Sequence, residues 1–148
     1  MTTFQTTKNR KCDYLSAGSF KIQDNDTFLI ATVTEGVCIC LWNSIEKKGG
    51  VCHLNPSPTG EGREQGENLI FRFFRSMVSE CQIGQFTAAV IGGAHTEKDS
   101  ERGEENLKLA HEYLDLQDIL VVLNEERGTR PRKVSMDTLD GTIKTITL

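Results

Sequence analysis

The chain has 148 residues and a formal net charge of -4 at pH 7. Hydrophobic residues make up 37% and charged residues 26%, the composition of one folded domain rather than of a disordered or membrane-embedded chain. The acidic balance lacks the basic footprint that general nucleic-acid binding needs. The densest basic cluster, Arg127, Arg130, Arg132 and Lys133, is broken by Pro131.

No apolar run approaches the ~20 residues of a bilayer span, so membrane insertion is not expected. Residues 1–10 lack the apolar segment of a secretion signal, and the expected compartment is the cytoplasm. Residues 1–13 read as a flexible polar tail before a single domain over residues 14–148.

Residues 19–23 alternate apolar and polar, as a half-buried strand does, and Asp24-Asn25-Asp26 supplies turn chemistry. Residues 27–33 are rich in β-branched and apolar side chains and read as a buried strand. Gly36 breaks the run, and residues 37–42 form a second apolar strand. Residues 43–50 read as a polar connection ending in Gly49-Gly50, and residues 51–54 as a short third strand that Asn55-Pro56 stops. Residues 55–66, with Pro56, Pro58, Gly60, Gly62 and Gly66, read as a mobile loop.

A helix is predicted over residues 67–81, where Leu69, Ile70, Phe73, Phe74, Met77 and Val78 make one apolar stripe facing the core. Residues 86–91 read as a strand, 95–103 as a charged loop, and 104–116 as a second amphipathic helix. Residues 119–123 read as a buried strand, and 133–136 with 142–148 as a hairpin turned at Asp140-Gly141. The fold class is therefore α+β: a layered β-sheet core packed with two amphipathic helices.

Five cysteines, at positions 12, 38, 40, 52 and 81, are an odd number without a secretion signal, which argues against a disulfide framework. A zinc site on Cys38, Cys40, Cys52 and His53 is conceivable from ligand type. In a strand, however, Cys52 and His53 point to opposite faces. No metal and no organic cofactor are expected. Cys38 with His53 is the candidate nucleophile–base pair: a thiol needs a base or cation to ionise, and a third group must fix the imidazole tautomer. Thr32 is the candidate for that third group. The plain alternatives are a small buried hydrophobe for Cys38 and a structural imidazole for His53.

The order of motifs resembles the chemoreceptor glutamine deamidases of the CheD family, as a divergent member. Cys40-Leu41-Trp42 resembles the end of that family's T-L-G-L-G-S-C-V-A-V-C-L-Y strand, and Gly49-Gly50-Val51-Cys52-His53 resembles the Gly-Gly and histidine segment that follows. Ile91-Gly92-Gly93-Ala94 is similar to F-G-G-A. Arg102-Gly103-Glu104-Glu105-Asn106 is similar to I-G-E-R-N, and Gly128-Thr129 with Arg132-Lys133-Val134 to G-G-T-x-G-R-K-V. Arg127 and Pro131 depart from that last pattern.

Two alignments of the nucleophile stay open. The family cysteine precedes its histidine by seventeen positions, and that count from His53 falls on Gly36, with Ile30 where the family threonine stands. Removing two residues after the nucleophile instead aligns Thr32, Gly36 and Cys38 with T-x-x-x-G-x-C. This second alignment is preferred because it restores three residue types and preserves strand parity.

The resemblance implies hydrolysis of protein glutamine to glutamate, with Cys38 as nucleophile, His53 as base and then acid, Thr32 orienting His53, and backbone N–H groups near Gly36 to Cys38 holding the oxyanion. It implies a methyl-accepting chemoreceptor as protein substrate and a CheC-like phosphatase as partner. With Gly36 at the nucleophile position, the alternative is a catalytically inactive CheD-like module that binds such a receptor or a CheC-type partner.

Overall fold

The computed structural model describes residues 10–24, 26–55, 60–79, 81, 85–96 and 101–148. The strands are β1 (Lys11–Tyr14), β2 (Ser19–Gln23), β3 (Thr27–Val33), β4 (Val37–Asn43), β5 (Lys48–Leu54), β6 (Phe86–Gly92), β7 (Leu120–Glu126), β8 (Arg132–Asp137) and β9 (Ile143–Thr147). The helices are α1 (Gly60–Val78), between β5 and β6, and α2 (Arg102–Leu116), between β6 and β7.

A five-stranded sheet runs in the order β2-β5-β4-β6-β7, and a four-stranded sheet in the order β1-β3-β8-β9. Both are mixed: β1 lies parallel to β3 and β6 parallel to β7, while the other pairs are antiparallel. The α+β expectation holds, and the layering follows from strand parity. On one face of the five-stranded sheet, Val37, Ile39, Leu41, Cys52 and Leu54 pack with Leu69, Ile70, Phe73 and Met77 of α1 and Leu107, Ala110 and Leu114 of α2. On the other face, Cys38, Cys40, Val51, Ala89 and Ile91 meet Leu29, Ala31 and Val33 of β3 and Val134 and Met136 of β8. The five-stranded sheet is covered on both sides, so β4 reads as an unbroken apolar run instead of alternating.

Several boundaries differ from the sequence expectations for physical reasons. β1 begins at Lys11, inside the span expected as a tail, and residues 1–9 lie outside the described residues. β5 starts at Lys48 and takes in Gly49 and Gly50. A Cβ at Gly49 would come 2.9 Å from Met136 Cε, and one at Gly50 2.8 Å from Phe73 Cε1. The glycine pair is there because both faces of the strand are crowded, not because the chain turns.

α1 begins at Gly60, inside the stretch expected as a loop, of which residues 56–59 lie outside the described residues. Gly62 and Gly66 are buried helix positions. β7 is an edge strand rather than a buried one. Its register against β6 shifts between Ala88 and Ala89, and Leu120 and Val122 stand 68% and 60% exposed. The β8–β9 hairpin forms as expected, with Gly141 at φ 80° and the Trp42 indole lying over it.

No helix among the described residues is long and apolar enough to cross a membrane.

Candidate active site

β4 and β5 pair antiparallel with Cys38 directly opposite His53, so their side chains leave the sheet on the same face, toward the four-stranded sheet. His53 also pairs with Ser19 of β2, and its carbonyl accepts the Gly18 N–H at 2.9 Å. The structure thus brings two of the three expected site residues together as cross-strand neighbours.

Their electrostatics are those of two neutral groups. Cys38 is fully buried, and burial, with the neighbouring Cys40 and Cys52 adding to it, pushes its thiol well above the ordinary value. His53 is 6% exposed, and burial lowers its imidazole. A thiolate–imidazolium pair would show the opposite shifts, thiol down and imidazole up. His53 Nδ1 is buried and has no hydrogen-bond partner among the described residues.

Thr32 does not join them. On β3, Leu29, Ala31 and Val33 point into the core between the sheets, so Thr32 emerges on the outer face, exposed and opposite Lys133. The motif spacing that selected Thr32 is one-dimensional, and the period-two geometry of a strand sends this side chain the other way.

The side-chain direction that meets His53 belongs to Gly36. A Cβ built there would lie 3.3 Å from His53 Nε2, 3.5 Å from Asn55 Cβ and 2.8 Å from the Leu54 carbonyl oxygen. The preferred alignment puts the nucleophile at Cys38 instead. The count of seventeen residues back from His53 was the signal that pointed to Gly36.

Three consecutive carbonyls hold the turn that carries Gly36. The Thr34 oxygen accepts from Ala94 N–H at 2.9 Å, and the Gly36 oxygen from Gly93 N–H at 2.8 Å. The Glu35 oxygen accepts from Asn106 Nδ2 at 2.9 Å, and Asn106 is 1% exposed. The clamp needs glycines for close approach. A Cβ at Gly92 would lie 2.4 Å from the Gly36 oxygen, and one at Gly103 2.4 Å from the Gly93 oxygen. Gly92 and Gly93 also have φ of 122° and 71°, where other residues are strained. The Gly-Gly-Ala and Gly-Glu-Glu-Asn segments therefore act together: one donates backbone N–H groups to the turn, and the other seats the α2 start on that donor loop and supplies Asn106. Asn106, Gly92, Gly93 and Gly103 were legible as motif letters, but not as parts of one clamp.

Cys38 and Cys40 face the four-stranded sheet while Cys52 faces the helices, which separates the thiols a metal site would have to gather. Among the described residues no group of three or more His, Cys, Asp or Glu side chains is placed to hold a metal ion. Burial pushes the Cys40 and Cys52 thiols up to about 12. His95 and His111, the remaining histidines, lie on α2's charged side, near Glu104 at 3.6 Å and against Glu126 at 2.7 Å.

Comparison with known proteins bears on this arrangement. Residues 65–147 match the family model described as CheD chemotactic sensory transduction. The chain belongs to the CheD family. A probable chemoreceptor glutamine deamidase CheD 3 of Dechloromonas aromatica is 25% identical over 144 residues, covering 88% of this chain and 84% of that one. A probable chemoreceptor glutamine deamidase CheD of Sulfurimonas denitrificans is 29% identical over 117 residues, covering 72% of this chain and 75% of that one. Both relatives are named as probable chemoreceptor glutamine deamidases.

The solved structure of Neisseria meningitidis protein NMB0706, assigned to the DUF152 family, superposes with a TM-score of 0.55 at 8% identity, covering 84% of this chain and 67% of that one. It shows a shared fold. The stretch that matches the CheD family model contains both halves of the clamp and begins after the β4–β5 hairpin that carries Cys38 and His53.

Proposed function

We propose that this chain acts in chemotaxis, in the cytoplasm, as a CheD-type protein-glutamine deamidase on a methyl-accepting chemoreceptor. Membership in the CheD family carries the reading, and the direct pairing of Cys38 with His53 supports it. Neutral His53 is in the protonation state a general base needs. It takes the Cys38 thiol proton as sulfur attacks the carboxamide carbon, and returns that proton to the departing ammonia. Water then cleaves the thioester, so amide and water become carboxylic acid and ammonia. Because Cys38 is fully covered, the attack requires this end of the sheet to open as substrate arrives.

A second reading is favoured by one observation: the side chain that would meet His53 Nε2 is that of Gly36, which carries no thiol. On this reading the chain binds the receptor segment, or a CheC-like phosphatase, without hydrolysing it.

The deciding experiment incubates the full chain with the cytoplasmic fragment of such a receptor and follows ammonia release and the Gln-to-Glu mass gain. Turnover that disappears in both Cys38→Ala and His53→Ala supports the deamidase. Binding without turnover in the unaltered chain refutes it and supports the binding module.

A further inference from the structure

Beside His53 lies a cavity of about 280 Å³ between the start of β2, the end of β5 and α1. It adjoins the candidate site through two of its walls. Gly18 donates its N–H to the His53 carbonyl, and the Asn55 Cβ is 3.5 Å from the side-chain position at Gly36. Gln65, Asn68, Leu69 and Arg72 line its α1 side. Their spacing places them on one helix face, because residues three, four and seven apart stack along a helix.

Arg72 gives this cavity its charge. Arg10, Arg63 and Arg127 each have carboxylate partners. Among the described residues Arg72 has none. Its guanidinium lies 5.7 Å from the centre of the Phe20 ring, which gives it a fixed apolar support. On the same helix the Glu67 carboxylate is taken up by Arg63 at 3.2 Å. The cavity therefore presents one uncommitted cation with the carboxamides of Asn55, Gln65 and Asn68. That set suits a carboxylate, which a guanidinium can bind with two parallel N–H bonds while amide N–H groups occupy its remaining lone pairs.

We propose that this cavity is a specificity subsite, with Arg72 and its neighbouring carboxamides binding an acidic side chain close in sequence to the glutamine presented at His53. The inference rests on the reading that a glutamine-bearing protein segment docks at His53, and it narrows that segment to one with Asp or Glu near the glutamine. It holds for an enzyme and for a binding module alike, so binding rather than turnover tests it.

The probes are fluorescent glutamine peptides that carry Glu at each of the first four positions on either side, with Gln-flanked and Lys-flanked counterparts. Anisotropy titrations with the full chain at low and high salt give the affinities. At least one Glu-flanked peptide should bind about tenfold more tightly than its Gln-flanked counterpart, with the margin shrinking at high salt. Arg72→Gln should erase the margin, and Arg72→Glu should turn it toward the Lys-flanked peptide. Both substitutions are at an exposed helix position, and circular dichroism is to check that the variants fold. Equal binding of Glu-flanked and Gln-flanked peptides, binding of none, or a margin that survives Arg72→Gln overturns the subsite. Loss of ammonia release with the margin intact would instead refute only the deamidase reading.

Discussion

Gly103→Ala tests the clamp on the Gly36 turn. The added methyl would lie 2.4 Å from the Gly93 oxygen, 2.7 Å from the Gly93 carbonyl carbon and 2.8 Å from the Ala94 oxygen, where ordinary contact begins at 3.4 Å. All three obstacles are backbone, so no side chain can rotate away and the loop must withdraw by about 1 Å. That loop donates the 2.8 Å and 2.9 Å bonds to Gly36 and Thr34, and the retreat breaks both. At about 1 kcal/mol net for each, the loss is about 2 kcal/mol. Alanine returns less than the ~1 kcal/mol of an interior helix position, because Gly103 is the second residue of α2. The expected net destabilisation is about 1–2 kcal/mol, a fall in Tm of roughly 2–8 °C for a domain of this size. Scanning calorimetry measures it, with Gly18→Ala as the control. Gly18 has φ 79° and open space around it, so its variant reports backbone strain alone. A Gly103→Ala protein as stable as the parent would refute the account of the clamp.

Alkylation followed by mass spectrometry should rank the thiols. Exposed Cys12 reacts first. Cys40 and Cys52, raised from 9.0 to about 12, carry about a thousandfold less thiolate, and Cys38 reacts no faster than they do. Fast labelling of Cys38 that is lost in His53→Ala would overturn the buried neutral assignment. His53 makes stability pH-dependent in a defined direction. Burial lowers its folded value below the ordinary 6.5, so its contribution is complete above that pH and is lost as pH falls toward the folded value, because the unfolded chain takes a proton that the folded one refuses. Tm measured at about pH 7.5 and about pH 5.5 should fall less in His53→Gln than in the parent, and equal falls would contradict this. Gly141→Ala should redden Trp42 fluorescence and destabilise by about 1–3 kcal/mol, because φ is 80° and the new methyl would lie 2.6 Å from the indole. Unchanged emission would mean that the indole does not rest on this turn.

The layered fold was legible because its strongest signals are local. The stripe from Leu69 to Val78 can serve only as a helix face, and the apolar run of β4 only as a strand covered on both sides. Glycine was the main source of misreading. At Gly49, Gly50, Gly62 and Gly66 the sequence suggests turns and loops, yet these residues occupy a strand and a helix. A glycine chosen for close packing looks the same in sequence as one chosen for flexibility, and only the neighbour on the far side of the gap distinguishes them. β7 misled for the complementary reason. Leu-Val-Val-Leu reads as buried, but an irregular register on an edge strand turns Val122 outward.

The site was legible in part for the same kind of reason. Motif spacing located His53 and the turn before β4, because antiparallel pairing fixes which residues of a hairpin meet. Spacing could not say which side chain on that hairpin aims at the imidazole. That depends on where the chain leaves extended geometry, and Gly36 lies just outside β4. The 2.8 Å from its Cβ position to the Leu54 oxygen is about 0.6 Å short of ordinary contact, so a thiol at position 36 would require β5 to move as well as a change of residue. Opposite that turn, the buried His53 Nδ1 finds no hydrogen-bond partner among the described residues. Thr32, the group expected to satisfy that atom, is on the outer face of the other sheet. Strand parity sends it there, and motif spacing along the chain carries no such information.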